Sequence, residues 1–142
     1  LLIDEQGKWF YAGSEITRQA MIKLFASVLC REDGQFYLKT PVEKIAIEAK
    51  DAPFIIVSWH RESTSDGDVI CCIDNLQRTW LLSRAEPLYI NNYKGAAVPY
   101  MQLPYGCFAR VARNVFYQWV EIAETDELGY FITSANERFY LG

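Results

Sequence analysis

The clearest pattern along the chain is the spacing of apolar residues in two segments. In both, apolar residues recur at intervals of three and four, which places them on one face of an α-helix. We therefore predict helices over residues 15–29, with Ser14 as a candidate N-cap, and over about 107–123. The apolar positions are Ile16, Ala20, Met21, Leu24, Phe25, Val28 and Leu29 in the first helix, and Phe108, Val111, Ala112, Val115, Phe116, Trp119 and Val120 in the second.

Most of the remaining chain consists of short segments with the patterns of β-strands. Alternating or continuous apolar residues, bounded by glycine, proline, aspartate or asparagine, predict strands there. The predicted strands cover residues 8–12, 36–39, 44–48, 54–59, 69–73, 79–83, 98–103, 130–134 and 138–141. Pro99 lacks the N–H that a strand interior needs, which predicts an edge position or a bulge. The acidic segment 124–127 is predicted to be a loop.

The predicted elements follow the same order in two parts of the chain. Each part has a helix, a short polar loop, a glycine and a pair of strands, and Gly34 in the first corresponds to Gly129 in the second. A hairpin alone is marginal in water, and a helix packed on it buries its apolar face. We predict an α+β fold with two subdomains and a duplicated helix-plus-hairpin motif. An N-terminal α+β subdomain would cover residues 1–53 and a strand-rich C-terminal subdomain residues 54–142.

Four short motifs occur in an order that resembles the bacterial family known as domain of unknown function 1285 (DUF1285). The motifs are Asp33-Gly34-Gln35-Phe36, Thr40-Pro41-Val42-Glu43-Lys44, Asp51-Ala52-Pro53-Phe54 and Glu86-Pro87-Leu88-Tyr89-Ile90. The resemblance implies a duplicated α+β motif and a second domain superficially like a pleckstrin-homology roll or barrel. It implies no catalytic residue or cofactor, and it suggests a binding role between the halves, in signalling. One departure is that two strands are predicted after the long helix, whereas a pleckstrin-homology domain ends on its helix.

Composition and charge narrow the classes of function. The chain has 142 residues, of which 51% are hydrophobic and 15% aromatic, enough to build a core. Its net charge of −4 argues against bulk binding of nucleic acid or of an anionic membrane, since both need clustered positive charge. No apolar run is long enough to span a membrane, and the N-terminus does not have the pattern of a signal peptide. We therefore expect a cytoplasmic protein.

Histidine and cysteine are the residues from which a catalytic or metal site would be built. His60 is the only histidine, and it could act as a general base or a metal ligand. A partly exposed position at the end of a strand accounts for it without a catalytic role. A zinc site made from His60, Cys71, Cys72 and Cys107 would lack the short paired spacing of structural zinc sites. Without a C-x-x-C pair, the cysteines, including Cys30, are expected to be reduced thiols. We predict no catalytic residue, no metal and no cofactor.

Seven polar residues are the candidates for ligand binding. They are Thr40, Glu43, Lys44, Asp51, Arg110, Arg113 and Arg138. The first four flank prolines, so they could present rigid corners to a ligand or only close turns with local hydrogen bonds. The three arginines, with Tyr117 near them, could hold an anionic group or only form a solvated helix face.

These observations favour a ligand-binding or partner-binding module that acts at the groove between the two halves. Its ligand would be a small molecule, a peptide or a nucleic-acid segment, because grooves between domains are preferred ligand sites. Two other functions stay open: an enzyme whose site is assembled only in three dimensions, and a scaffold that uses an exposed aromatic patch. A homodimer is compatible with the aromatic content but is not required by it.

Overall fold

The computed structural model describes residues 1–142, whose strands form two six-stranded sheets and one three-stranded sheet. The first sheet belongs to the N-terminal half and has the strand order β3-β2-β1-β6-β5-β4. Its strands are β1 (Leu2–Ile3), β2 (Trp9–Tyr11), β3 (Ser14–Glu15), β4 (Leu29–Glu32), β5 (Gln35–Lys39) and β6 (Lys44–Ala49). All neighbours are antiparallel except β1 and β6, which run parallel and return the N-terminus to the middle of the sheet.

The second sheet has the order β10-β11-β12-β7-β8-β9, and its central pair β12 and β7 is parallel. Its strands are β7 (Phe54–Thr64), β8 (Gly67–Asp74), β9 (Thr79–Leu81), β10 (Leu88–Tyr93), β11 (Ala96–Gln102) and β12 (Phe108–Val111). Pro99 lies in the part of β11 that pairs with β10 alone, because the pairing with β12 begins at Tyr100. The proline therefore occupies a local edge of the sheet, as its missing N–H predicts.

A helix followed by three antiparallel strands occurs in both halves. In the first half, helix α1 (Gln19–Ser27) precedes β4, β5 and β6. In the second, helix α2 (Arg113–Ile122) precedes β13 (Glu124–Asp126), β14 (Gly129–Ser134) and β15 (Glu137–Tyr140). The α+β class is confirmed, but the unit has three strands rather than the predicted two. The acidic segment 124–127, predicted as a loop, contributes β13. The likeness to a pleckstrin-homology barrel stays a prediction.

Helix α1 is shorter than predicted at both ends. Ser14 and Glu15 do not start the helix, because they form β3 and pair with β2. Ala12 and Gly13 both have positive φ, 49° and 84°, and this favours a tight hairpin at the point where a helix start was predicted. Of the predicted apolar stripe, Leu24 is 63% exposed. The stripe therefore buries less surface than its spacing suggested.

Helix α2 begins at Arg113 rather than near residue 107, so that prediction is wrong for its first third. Cys107, Ala109 and Val111 are all buried, which is the period of two that a strand shows. Phe108, Val111 and Ala112 also have the spacing of residues on one face of a helix. The hydrogen-bonded pairing with β7 and β11 decides in favour of the strand β12. A short 3-10 helix (Pro104–Gly106) precedes it.

One continuous core joins the two halves. Its 25 buried residues include Ile3 and Trp9 from the first half and Ile56 and Trp119 from the second. Deleting one such aromatic side chain typically costs about 3–5 kcal/mol. Buried Ser134 ties β14 to the second sheet, since its Oγ accepts a hydrogen bond from the Ile70 N–H (2.7 Å) and donates one to the Leu82 carbonyl (2.6 Å). Neither helix is long and apolar enough to cross a membrane.

Candidate functional site: the groove between the halves

A groove lies between the end of α1 with strand β4 on one side and the 3-10 helix with strand β9 on the other. It consists of an inner cavity of about 200 Å³ and an outer cavity of about 440 Å³. Ser27, Leu29 and Tyr105 line both cavities, so the two adjoin each other. We call them together the inter-half groove. The outer cavity alone is within the usual size range of ligand pockets, about 300–1,000 Å³.

The inner cavity has in its wall an arginine that is held rigidly by its neighbours. Fully buried Asp74 accepts hydrogen bonds from Nε of Arg78 (2.8 Å), Nε1 of Trp80 (2.9 Å) and the backbone N–H groups of Leu76 (2.8 Å) and Arg78 (3.0 Å). The guanidinium carbon of Arg78 lies 4.1 Å from the ring centre of Phe54 and 5.0 Å from that of Trp80. The planar guanidinium is thereby fixed by one carboxylate and two aromatic rings.

One buried nitrogen of this guanidinium group lacks a hydrogen-bond partner. Nη2 of Arg78 is buried and unpaired, although Arg78 lines the inner cavity. Leaving a buried donor unpaired typically costs about 1–3 kcal/mol, and more for a charged group. Nη2 has almost no contact with solvent, so a ligand oxygen can reach it, and remove this cost, only when the cavity wall that covers it moves. A carboxylate suits the position best, because hydrogen bonds between two charged groups are the strongest that arginine forms.

The backbones of the two halves contact each other directly beside the groove. A Cβ atom added to Gly106 would lie 2.5 Å from the carbonyl oxygen of Arg31, so only glycine fits there. The Cys107 thiol donates a weak hydrogen bond to the carbonyl of Leu29, with Sγ and O 3.6 Å apart. Tyr105 has a positive φ of 61° and is 79% exposed, which leaves its ring at the rim of both cavities.

The rim of the outer cavity carries more positive than negative charge. Arg31, Glu32 and Lys39 line the cavity. Glu32 forms ion pairs with Lys44 (2.6 Å) and Lys39 (2.9 Å). Hydrogen bonds from Lys44 and then Lys39 lower the pKa of Glu32 to about 2. Two lysines at one carboxylate, with Arg31 also in the cavity wall, favour the approach of an anionic ligand.

Three of the residues predicted from sequence lie at the turn between β5 and β6. Oγ1 of Thr40 accepts hydrogen bonds from the backbone N–H groups of Glu43 (3.0 Å) and Val42 (3.4 Å). Thr40 and Glu43 therefore close the turn locally. Lys44 starts β6, and its Nζ lies 4.4 Å from the ring centre of Tyr37. Of the three, only Lys44 reaches the groove, through its ion pair with Glu32.

Asp51 and Arg110 come together, but at a second junction between the halves. Nη1 of Arg110 lies 3.6 Å from Oδ2 of Asp51, and its Nη2 donates to the backbone carbonyl of Glu5 (2.9 Å). The Tyr100 hydroxyl donates to Oδ1 of Asp51 at 2.9 Å. Burial, with Asp51 as the second cause, raises the pKa of Tyr100. These side chains already satisfy one another, so the junction holds the halves together rather than offering a free site.

Arg110 and Arg113 also line a cavity of about 730 Å³ on the second half, together with Phe116, Tyr117 and Pro99. This cavity is larger than the inter-half groove and mostly apolar. Its polar groups are less suited to fix a ligand, because Arg110 is engaged at the junction and Arg113 is exposed on the first turn of α2. This cavity is the site most able to compete with the inter-half groove for an apolar ligand.

Arg138 is separate from the other candidates, on the third sheet. Its Nη1 donates to Oδ2 of Asp126 at 2.6 Å, and its guanidinium carbon lies 4.3 Å from the ring centre of Phe131. The hydroxyl of Tyr140 donates to the same carboxylate oxygen at 2.7 Å, and this hydrogen bond is the main cause that lowers the pKa of Asp126. The seven predicted residues thus do not form one site.

The residues that define the inter-half groove were missed from the sequence. Arg78, Trp80 and Tyr105 were not candidates, although Arg78 and Trp80 directly follow the predicted turn at Asp74-Asn75. The usable signal was a turn aspartate followed at positions four and six by an arginine and a tryptophan, whose donors can reach back to one carboxylate. Nothing near Tyr105 in sequence indicates that it lies against the first half.

Comparison with known proteins identifies sequence and structural relatives. Residues 1–52 match the N-terminal domain, and residues 53–141 the C-terminal domain, of the family DUF1285, described as of unknown function. A DUF1285 family protein from Silicibacter pomeroyi DSS-3 is 30% identical, with a TM-score of 0.88 over 98% of this chain and 77% of that one. Another from Shewanella baltica OS155 is 25% identical, with a TM-score of 0.68 over 84% of this chain and 89% of that one. No curated protein matches.

Proposed function

We propose that this chain, which belongs to the DUF1285 family, is a binding module that holds an apolar carboxylate in its inter-half groove. The carboxylate is free or stands at the end of a peptide. The observation that carries the proposal is the buried, unpartnered Nη2 atom of Arg78, a residue of the inner cavity wall. A preorganised guanidinium group in an apolar cavity is how proteins commonly fix a carboxylate.

The rest of the groove supports the same class of ligand. The carboxylate would meet Arg78, and the apolar body would extend past Leu29 towards Tyr105 into the outer cavity. The cations at the rim would attract the anion from solution. A nucleic-acid segment fits less well, since the net charge of the chain is −4 and opposes the binding of a polyanion.

The groove supports binding better than catalysis. The walls of the groove contain two thiols, Cys30 at the rim and Cys107 in the inner cavity. Burial raises the pKa of Cys107 to about 12. A thiol that stays protonated is a poor nucleophile. The Glu32 carboxylate is held by two lysines, and the single histidine, His60, is not in the walls. A role in signalling stays a prediction, because it requires a ligand first.

The first experiment uses anilinonaphthalene sulfonate, a fluorescent aromatic anion, as a probe of the groove. N-acetyl-leucine and its uncharged relative N-acetyl-leucinamide then compete for the site. A hydrogen bond to a charged group contributes about 1.5–3 kcal/mol, so the acid should displace the probe at roughly tenfold or more lower concentration than the amide. Equal competition by the two compounds would contradict the carboxylate site.

Two matched variants locate the probe. Ser27→Trp places a bulky ring in the wall that both cavities share, and we expect it to abolish probe binding. Lys23→Trp puts the same ring on the same helix, at an exposed position outside both cavities, and should bind the probe like the original chain. If both variants keep full binding, the probe occupies another site, and the cavity at Phe116 is the first to test.

A further inference from the structure

The pairing of β7 and β8 brings a histidine, a glutamate and a cysteine to one face of the second sheet. His60 and Glu62 are alternate residues of β7, so their side chains share a face. Cys71 of β8 is the cross-strand partner of His60. The donor atoms of the three side chains all lie within 4.8 Å of one another, and Nε2 of His60 is 2.9 Å from Oε1 of Glu62.

This cluster is independent of the inter-half groove. None of its residues lines either cavity of the groove. The neighbouring residues Trp59 and Cys72 point to the opposite face, where the Trp59 indole N–H donates to Gln118 of α2 and Cys72 is in the core. The His60 face is therefore a separate surface of the long β7–β8 hairpin.

We propose that His60, Glu62 and Cys71 bind a zinc-type divalent cation, with a fourth coordination position open to water. Imidazole nitrogen, carboxylate oxygen and thiolate sulfur are the three donor types that zinc takes in proteins, at bonds of roughly 2.0–2.3 Å. Tetrahedral ligands at such bonds lie roughly 3.3–3.6 Å apart. The His60–Glu62 separation of 2.9 Å is a little shorter than this, and no pair of donor atoms is more than 4.8 Å apart, so small side-chain rotations complete the site. Sites with three protein ligands and an open position are those of reactive zinc.

Two of the three ligand side chains are free to make these rotations. The side chains of His60 and Glu62 are 47% and 59% exposed, so both can rotate towards an ion. Cys71 is 1% exposed, and its strand between β7 and β9 holds the sulfur in place. The cation would replace the thiol proton, so metal binding releases a proton.

The test is a titration of the reduced, chelator-treated full chain with Co²⁺, followed by competition with Zn²⁺. We expect one equivalent to bind and a thiolate-to-cobalt charge-transfer band to appear in the near ultraviolet. Cys71→Ser should abolish the band, His60→Ala should weaken binding at least about tenfold, and Glu62→Gln should do the same. Two controls, Cys30→Ser and Asp66→Asn, remove a thiol and a carboxylate elsewhere and should leave the titration unchanged.

Two results would overturn the metal site. One is a chain that binds no cobalt in the micromolar to millimolar range. The other is a charge-transfer band that survives Cys71→Ser and disappears in Cys30→Ser. His60→Ala keeps the test decisive if the buried Cys71 variant fails to fold, because His60 is exposed and its replacement leaves the core unchanged. At the same concentration, zinc should also raise the melting temperature of the original chain more than that of His60→Ala.

Discussion

Asp74 joins the fold and the proposed binding site, and its replacement by asparagine tests both. The variant Asp74→Asn keeps the shape of a side chain that is fully buried. It removes the charge that faces Arg78, and one carboxylate oxygen is replaced by an NH₂ group. At the position of Oδ2 this NH₂ would face two other donors, Nε of Arg78 and Nε1 of Trp80.

The expected loss follows from these contacts. Removing one partner of a buried ion pair costs about 3–5 kcal/mol. The Arg78 side chain is 29% exposed, and water can partly solvate it, so we expect a loss near the lower end, about 3 kcal/mol. This is a large part of the roughly 5–15 kcal/mol by which a typical domain is stable. The variant should also lose the preference for acid over amide, because Arg78 is no longer held.

Asp4→Asn is a matched control, because Asp4 occupies the same kind of turn. Its Oδ1 accepts hydrogen bonds from the backbone N–H groups two and four residues on, Gln6 and Lys8, both at 2.9 Å. Asp74 makes the same two backbone contacts, but Asp4 lacks the buried cation. We expect Asp4→Asn to lose less than about 1 kcal/mol. Urea unfolding followed by tryptophan fluorescence measures both losses. Equal losses in the two variants would refute the reasoning.

The other predictions concern the contact between the halves, acid stability, a buried hydroxyl and thiol access. Gly106→Ala should lower the free energy of unfolding in urea more than Gly34→Ala does. Both glycines have positive φ, for which an alanine costs about 1–2 kcal/mol, but only at Gly106 would the added Cβ also clash with a backbone oxygen, that of Arg31. Because the pKa of Glu32 is lowered in the folded chain, its carboxylate stabilises the fold above about pH 4.5, and this contribution is lost as the pH falls towards about 2. The melting temperature of Glu32→Gln should therefore fall less over this pH range than that of the original chain. Ser134→Ala leaves a buried N–H and a carbonyl unpaired and should lower the free energy of unfolding by about 2–4 kcal/mol; a loss under about 0.5 kcal/mol would contradict this role. Iodoacetamide should label Cys30 first in the native chain, since it is the one cysteine that is not buried, and peptide mass spectrometry would show whether another thiol reacts before it.

Local patterns predicted much of the architecture. The Asp33-Gly34 turn and the strand after it follow from turn chemistry and alternation, and the structure has positive φ at both turn residues. The strand before the turn, β4, was not predicted, because its first residue was assigned to the end of the first helix. The matching order of elements in the two halves was also readable, because it depends on local periodicity repeated along the chain. These features need no knowledge of distant contacts.

The failures occurred where distant parts of the chain decide the outcome. Phe108–Val111 has a spacing that fits a helix and an alternation that fits a strand. Its pairing with Phe54–Ile56 on one side and with Tyr100–Gln102 on the other selects the strand. Arg78 becomes a candidate only after the turn at Gly106 has packed against Arg31. His60 and Cys71 are eleven positions apart in sequence, and their proximity comes from the register of β7 and β8. None of these relations is visible as a spacing of residues.

The most direct test of the central claim is amide and indole chemical-shift mapping of the chain with N-acetyl-leucine. The proposed site predicts that the largest changes cluster at Ser27, Leu29 and Tyr105 and at the indole N–H of Trp80, which donates to Asp74. N-acetyl-leucinamide should cause weaker changes at the same positions. Changes confined to the cavity at Phe116, or equal changes with acid and amide, would contradict a carboxylate site in the inter-half groove.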